Sequence, residues 1–226
     1  RWLVTLAGAF PDPLVQVAGG TVVPALAALR PRWWPLQFDW VVGCSYDGQL
    51  PQGAARAVPV PVRNVIGASM MMRRSALDAV GKFSTDLGRV GSVPLGGEET
   101  ELCIRVGHRF GAGSVVMVQG ATVAHHVPAD RLTLSYLHSR CHAEGMSKAV
   151  LAKLVGTGSS LASESNYLMR TLPRAMREHL LAAVRGDFTG LLRVGVIGTA
   201  TVATGLGWLR GTLAAAPALK TAASGR

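Results

Sequence analysis

The chain has 226 residues, of which 49% are hydrophobic and only 16% are charged, and 23 Lys and Arg against 13 Asp and Glu give a net charge of +10. This composition excludes an intrinsically disordered chain, and the length suits one domain or one domain with an appendage. The three cysteines lie far apart without a Cys-x-x-Cys pair, which disfavours a zinc site and a disulfide framework and favours a reducing, cytosolic compartment. Aromatic residues are only 6% of the chain and are not interleaved with the basic ones, so we expect no nucleic-acid partner.

The first 126 residues alternate between helix, strand and loop patterns. Trp2, Leu6 and Phe10 recur at helical spacing, and a Pro-Asp-Pro sequence ends this first helix. The remaining elements predicted here are a strand at 15–19, a long surface excursion at 25–61, a buried strand at 65–72, a short helix at 76–80 with Ser75 as its N-cap, a second loop at 83–97, a helix from Glu98, and two short strands at 114–119 and 122–126. Such an order predicts an α/β core.

Helical patterns dominate after Pro128, with helices predicted at 132–154, 167–184 and 194–209. Residues 130–226 also carry +7 of the net charge. We therefore expect two parts, an α/β part at 1–130 and a helical, basic extension at 131–226, for which an anionic membrane surface is one partner to consider. The uncharged segment 194–209 would form a helix of about 24 Å, short of the roughly 30 Å bilayer core, so it should lie on a membrane or pack on the domain rather than span.

An acidic cluster follows a glycine pair in the sequence Gly96-Gly97-Glu98-Glu99. Carboxylates are favoured at a helix N-terminus by roughly 0.3–1 kcal/mol, so the cluster is explained by helix stability alone. The functional alternative is that one carboxylate acts as a general base, and that the glycines let a substrate approach the backbone closely.

Three further patterns admit two interpretations each. His125 and His126 end a strand, where they are structural residues or, if one of them joins ligands from elsewhere, a metal site. The basic helical run at 131–148 is a solvated face or contacts phosphates or anionic lipid. The small residues at 67–69 serve close packing or the approach of a ligand.

The order of several short motifs resembles the C-terminal half of a family 2 glycosyltransferase with a GT-A fold, of the bacterial polysaccharide or glycolipid type. The resemblance covers about residues 1–150. The matching pieces are Trp2-Leu3 through Phe10-Pro11-Asp12-Pro13, Val17-Ala18-Gly19, Asn64 through Arg74, Val80-Gly81-Lys82-Phe83, Leu87-Gly88-Arg89, Gly97 through Arg105, Ala121 through His125, and Arg140 through Ala149.

The resemblance implies transfer of a sugar, with inversion, from a nucleotide-diphosphate sugar to a hydroxyl of a glycan or lipid-linked acceptor in cell-envelope synthesis. Glu99 would be the general base and Glu98 its neighbour at the acceptor, although Glu99 stands where the family usually has Asp. His125 would bind a divalent metal, Mg or Mn. Substrate contacts would come from Gly67, Ala68, Ser69, Gly96, Gly97 and Arg140.

The family's nucleotide-binding half and its Asp-x-Asp motif are expected upstream of Trp2, because no Asp-x-Asp occurs in these residues. The chain alone should then neither hold the donor well nor transfer sugar, and its sheet should have an unpaired edge. We expect the whole protein to be cytoplasmic and peripheral at the inner face of the cell membrane. The alternative is a non-catalytic, basic, membrane-associated interaction module whose glutamate pair is only a helix start.

Overall fold

A computed structural model of the chain describes residues 1–50, 59–85, 87–88, 95–156 and 164–214. Parts of both predicted loops, Arg89 of the matching pieces, and residues 215–226 of the predicted extension lie outside this description. The elements are α1 (Trp2–Ala7), β1 (Val17–Leu26), a 3-10 helix (Leu36–Val42), β2 (Val60–Pro61), a 3-10 turn (Gly67–Ser69), β3 (Met70–Met72), α2 (Arg74–Val80), α3 (Glu98–Phe110), β4 (Val115–Val127), a 3-10 turn (Ala129–Leu132), α4 (Leu134–Val155), a π-helical turn (Tyr167–Thr171), α5 (Leu172–Val184) and α6 (Thr189–Leu213).

The sheet has the strand order β2-β4-β1-β3. Its two central strands, β1 and β4, are parallel, whereas β2 and β3 pair antiparallel to them and form the edges among the described strands. Neighbouring residues on these strands point to opposite faces. Val17 and Val115 pack under α3 with Cys103, and Ala18 and Val116 pack against α1.

One long strand, β4, replaces the two short strands predicted around Gly120. The β1–β4 register shifts between Gly20 and Thr21, because Gly20 pairs with Val118 and Thr21 with Thr122. The extra residues on β4 form a bulge at the point where the sequence pattern is interrupted. A Cβ at Gly20 would lie 2.1 Å from the Ala121 carbonyl oxygen, so the bulge requires glycine opposite it.

Three local predictions were wrong. The excursion at 25–61 does not stay on the surface, because its 3-10 helix places Phe38, Val41 and Val42 in the main hydrophobic core. Only Met70–Met72 of the predicted strand at 65–72 is β-structure, since a 3-10 turn precedes it. The N-cap of α2 is Arg73 rather than Ser75.

The α/β core and the helical extension were predicted correctly. The main core cluster combines Val22 and Val127 of the sheet with Leu137 of α4, Leu172 of α5 and Ile197 of α6. The helices thus pack on the same hydrophobic core as one end of the sheet, and the boundary at residue 130 stays a prediction.

The glycines of α6 are explained by its close packing on α4. A Cβ at Gly207 would lie 1.9 Å from the carbonyl oxygen of His142, and one at Gly211 would lie 2.7 Å from the Cβ of Ala149. On α4, a Cβ at Gly145 would lie 2.0 Å from the carbonyl oxygen of Thr204. The two helices therefore touch backbone to backbone, which larger residues would prevent.

This packing predicts opposite effects for two glycine substitutions in α6. Gly207→Ala should lower the free energy of unfolding by about 1–3 kcal/mol, because the new methyl group overlaps α4. Gly195→Ala is the matched control, since a Cβ there meets nothing within 4 Å, and alanine should stabilise the helix by about 0.5–1 kcal/mol. Urea unfolding followed by circular dichroism measures both. Equal effects of the two substitutions would contradict the packing.

Candidate functional site

A cavity of about 1120 Å³ opens between the end of the sheet and the helical extension. Its wall combines Gly67 and the start of α3 with the 3-10 helix of residues 36–42, one face of α4, and the inner faces of α5 and α6. A cavity of this size suits a small-molecule substrate.

Glu99 lies at the N-terminus of α3 and lines this cavity. The helix starts after Gly97, which has a φ of +100°, a conformation that favours glycine. The Glu99 carboxylate lies directly over Gly67. A Cβ added to Gly67 would be 2.3 Å from the Oε1 atom of Glu99. Gly67 thus makes room for the Glu99 carboxylate beside the cavity, whereas Gly97 supplies the backbone conformation from which α3 starts.

The carboxyl group of Glu99 is harder to ionise than an ordinary glutamate. Burial raises its pKa and the neighbouring Glu98 raises it further, while its own backbone N–H and the guanidinium of Arg140 oppose the rise. A carboxylate with a raised pKa is a stronger proton acceptor, as a general base requires.

Glu98 and Gly96 are not among the described residues that line the cavity, but they lie close to Arg140, which does line it. The Gly96 N–H donates to Ser147 Oγ at 3.1 Å, and a Cβ at Gly96 would lie 3.0 Å from Arg140 Nη2 and 3.9 Å from Glu98 Oε2. The Oε2 atom of Glu98 is buried without a hydrogen-bond partner among the described residues. Gly96 therefore makes room for Arg140 and Glu98 rather than facing the cavity itself.

A chain of ion pairs crosses the cavity wall from α4. Glu144 accepts from Arg140 at 2.8 Å and pairs with Lys148 at 3.4 Å, and Lys148 also pairs with Glu164 at 2.6 Å. Glu164 in turn accepts from Arg63 Nη2 at 2.9 Å. Burial alone would raise the pKa of Glu144, but Arg140 and Lys148 lower it to about 2.

The sequence interpretation of 131–148 as a solvated or phosphate-binding face missed this network. Arg140, Glu144 and Lys148 recur every four residues, which places them on one face of a helix. Their side chains are only 12–18% exposed. The four-residue spacing was a usable signal, whereas nothing local in the sequence indicates that Arg63 and Glu164 join them.

Aromatic side chains also line the cavity. The indole N–H of Trp40 donates to the hydroxyl oxygen of Tyr167 at 3.3 Å, and that hydroxyl donates to the Gln37 carbonyl at 2.7 Å. The guanidinium of Arg140 lies 5.6 Å from the centre of the Trp40 ring. The wall also contains the apolar Leu172 and Ala175 of α5, beside the charged Arg174 and Glu178 of the same helix. The cavity lining therefore combines charged, aromatic and apolar side chains.

Three of the predicted substrate residues, Gly96 and two more, are not among the described residues that line the cavity. Ala68 is exposed but is not one of the described residues that line the cavity. Ser69 is fully buried, and its hydroxyl accepts a hydrogen bond from the Trp2 indole at 2.9 Å. Ser69 thereby fixes α1 to the sheet, while Gly67, Gly97, Glu99 and Arg140 come together at the cavity.

His125 is half-buried near the end of β4, and its neighbour His126 is exposed. Its Nε2 atom lies 3.5 Å from where a Cβ of Gly43 would be, and Gly43 lines the cavity. Burial lowers the pKa of His125, as do Arg131 and His126, so the imidazole is held neutral, the form that binds metals. Within the described ranges no group of three or more His, Cys, Asp and Glu could hold a metal ion, so these residues do not complete a metal site by themselves.

No protein-family model matches the chain. The chain is similar to a glucosyl-dolichyl phosphate glucuronosyltransferase from Haloferax volcanii, with 30% identity over 151 residues. The aligned region is 66% of this chain and 46% of that enzyme, so the chain spans less than half the length of the relative. The similarity supports the interpretation that the chain is part of a glycosyltransferase. This interpretation agrees with the α/β fold and helical extension described above.

Proposed function

We propose that this chain is the catalytic and acceptor-binding part of an inverting family 2 glycosyltransferase with a GT-A fold. The whole protein transfers a sugar from a nucleotide-diphosphate donor to an acceptor hydroxyl, in the synthesis of a polysaccharide or glycolipid. The observation that carries the proposal is the position of Glu99, over Gly67 and beside a cavity of about 1120 Å³.

Glu99 is the general base in this proposal. Its carboxylate removes the proton of the acceptor hydroxyl while the acceptor oxygen bonds to the anomeric carbon of the donor and the diphosphate leaves from the opposite face. Arg140 opposes the rise in the pKa of Glu99, and its positive charge favours the ionised carboxylate that a base requires. Gly67, which has no side chain, leaves room for this carboxylate at the cavity wall.

A divalent cation, Mg or Mn, would neutralise the diphosphate leaving group. We propose His125 as one of its ligands, and the other ligands would come from outside the described residues.

We further propose a lipid-linked acceptor. The cavity wall combines charged side chains such as Glu99 with aromatic and apolar ones such as Trp40 and Leu172, a mixture that suits a molecule with both a sugar head and an apolar part. The name of the similar enzyme indicates that its own acceptor is a glucosyl-dolichyl phosphate. An acceptor of this class also agrees with a cytoplasmic protein that is peripheral at the inner face of the membrane.

A second candidate function is a non-catalytic, basic membrane-associated interaction module. The charge of +7 over residues 130–226 favours it. It predicts membrane binding without sugar transfer, so the two candidates are separated by an assay of transfer.

The test is the stereochemistry of the product formed by the full-length protein from a nucleotide-sugar donor and a lipid-phosphate-linked sugar acceptor. We expect transfer, with an anomeric configuration opposite to that of the donor, when the product is examined by NMR. Retention of configuration would contradict the role of Glu99, since a single displacement assisted by a base inverts. Tight vesicle binding without any transfer would favour the interaction module.

A further inference from the structure

The helix α6 is apolar on two opposite faces. One face is buried against the rest of the protein through Val196, Ile197 and Ala200. The outer face of α6, defined here by Leu191, Val202, Leu206, Leu209 and Leu213, is 52–87% exposed. A helix on the surface of a water-soluble domain normally has charged or polar residues on its outer side. Apolar residues on this side indicate that something other than water covers it.

The threonines of α6 do not make the helix polar. The hydroxyls of Thr199, Thr201 and Thr204 donate to the backbone carbonyls four residues earlier, at 3.0, 2.7 and 3.0 Å. Their hydrogen-bonding groups are satisfied within the helix. Thr201 and Thr204 line the cavity, so among these three it is the exposed Thr199 whose hydrogen bond reduces the cost of placing this helix against hydrocarbon.

The contacts of the inner face argue against a membrane-spanning arrangement. By length and composition α6 is the one helix of the described residues that could cross a membrane. However, it packs along α4, which carries the ion pairs of Arg140, Glu144 and Lys148. The ammonium group of Lys153 on α4 also donates to carbonyls at the C-terminal end of α6, at 3.0–3.2 Å. A spanning α6 would have to break these contacts or take charged groups of α4 into the bilayer.

The turn between α5 and α6 extends the apolar surface. The hairpin tip, defined here by Leu180, Leu181, Val184 and Phe188, is 42–86% exposed. Arg177 and Arg185 are exposed among these residues, and neither has a salt-bridge partner among the described residues. Apolar side chains interleaved with free arginines are typical of a surface that meets anionic headgroups and the underlying acyl chains.

We propose that the outer face of α6 and the hairpin tip dock on an anionic lipid bilayer, with the axis of α6 parallel to the membrane plane. This inference rests on the membrane localisation given under the proposed function and adds the surface and its orientation. The outer face runs about 33 Å from Leu191 to Leu213. The bilayer covers one side of α6 along this length, while α4 covers the other.

Vesicle binding by the full-length protein tests the docking surface. We compare wild type with Leu206→Ser/Leu209→Ser, and use Leu3→Ser/Val4→Ser as the matched control, because Leu3 and Val4 are also exposed but lie on α1. Binding to phosphatidylglycerol-containing vesicles should fall by about tenfold or more in the α6 variant and remain unchanged in the control. Unchanged binding in the α6 variant, with native circular dichroism, would overturn the proposal.

The variant Arg177→Gln/Arg185→Gln tests how much positive charge at the hairpin tip contributes to vesicle binding. We expect weaker binding to phosphatidylglycerol vesicles, with less salt dependence than wild type, and little change for phosphatidylcholine vesicles. Equal binding by this variant and wild type at low ionic strength would contradict an anionic surface as partner.

Two further outcomes distinguish other arrangements. Protein that stays in membranes after an alkaline carbonate wash would indicate a spanning helix and overturn the parallel orientation. A lipid-free dimer that Leu206→Ser/Leu209→Ser dissociates would indicate that a second copy covers the outer face. Sugar transfer to a water-soluble acceptor analogue, measured in the same variants, reports the proposed function separately, since the docking variants should leave it unchanged.

Discussion

Glu99→Gln in the full-length protein is expected to reduce the rate of sugar transfer by roughly 10²–10⁴-fold, the usual contribution of general base catalysis. Glutamine keeps the size of the side chain over Gly67 but cannot accept the proton of the acceptor hydroxyl. The fall should appear in kcat, since the amide preserves most contacts with the acceptor. Radiolabelled sugar incorporated into the lipid-linked acceptor under single-turnover conditions measures it.

The control for this substitution is Asp78→Asn, which makes the same carboxylate-to-amide change on α2. Asp78 pairs with Arg74 at an exposed site, where both side chains are more than 60% exposed. We expect unchanged transfer in this variant. Near wild-type transfer by Glu99→Gln, with the control behaving normally, would show that Glu99 is not the base.

Glu144→Gln is expected to lower the free energy of unfolding by about 3–5 kcal/mol, the usual cost of breaking a buried ion pair from one side. Glu144 holds Arg140 and Lys148 through contacts of 2.8 and 3.4 Å, and all three side chains are less than one-fifth exposed. The substitution leaves two partly buried cations without their shared carboxylate. Thermal unfolding measures the loss.

Glu178→Gln is the matched control on α5. Glu178 pairs with Arg174 four residues away, as Glu144 does with Arg140, but both side chains are about half exposed. An exposed pair of this kind contributes about 0.3–0.5 kcal/mol. Similar losses of stability in the two variants would contradict the buried character of the α4 network.

The same network predicts a specific dependence of stability on pH. The pKa of Glu144 is about 2 in the folded protein against an ordinary value of 4.5. A lowered folded pKa contributes stability that is complete above about pH 4.5 and is lost as the pH falls towards 2. Wild type should therefore lose more stability than Glu144→Gln across this interval, by about 3 kcal/mol.

The start of α3 was predictable from the sequence because its signals are local. Two glycines followed by three glutamates within four residues predict a helix N-terminus through the macrodipole, and the helix begins at Glu98. The position of Glu99 over Gly67 was not predictable in this way. It depends on the 3-10 turn that brings residue 67 beneath α3, which local patterns do not specify.

The aromatic part of the cavity was missed for a similar reason. Residues 25–61 show little hydrophobic periodicity, a pattern that predicts a surface excursion. The apolar residues of this segment instead join the main core because α4, α5 and α6 cover them, with Phe38 packed beside Leu137 and Leu172. Long-range packing, rather than periodicity, decides the structure of this segment.

The most direct test of Glu99 as the base in sugar transfer is the pH dependence of kcat/KM in the wild type and in Glu98→Gln. The pKa of Glu99 is raised first by burial and then by Glu98, so activity of the wild type should fall on acidification at a pH above the 4.5 of an ordinary glutamate. Glu98→Gln removes the neighbouring negative charge and should move this fall to lower pH. An acidic limb that does not move in Glu98→Gln would contradict the assignment of the base to Glu99.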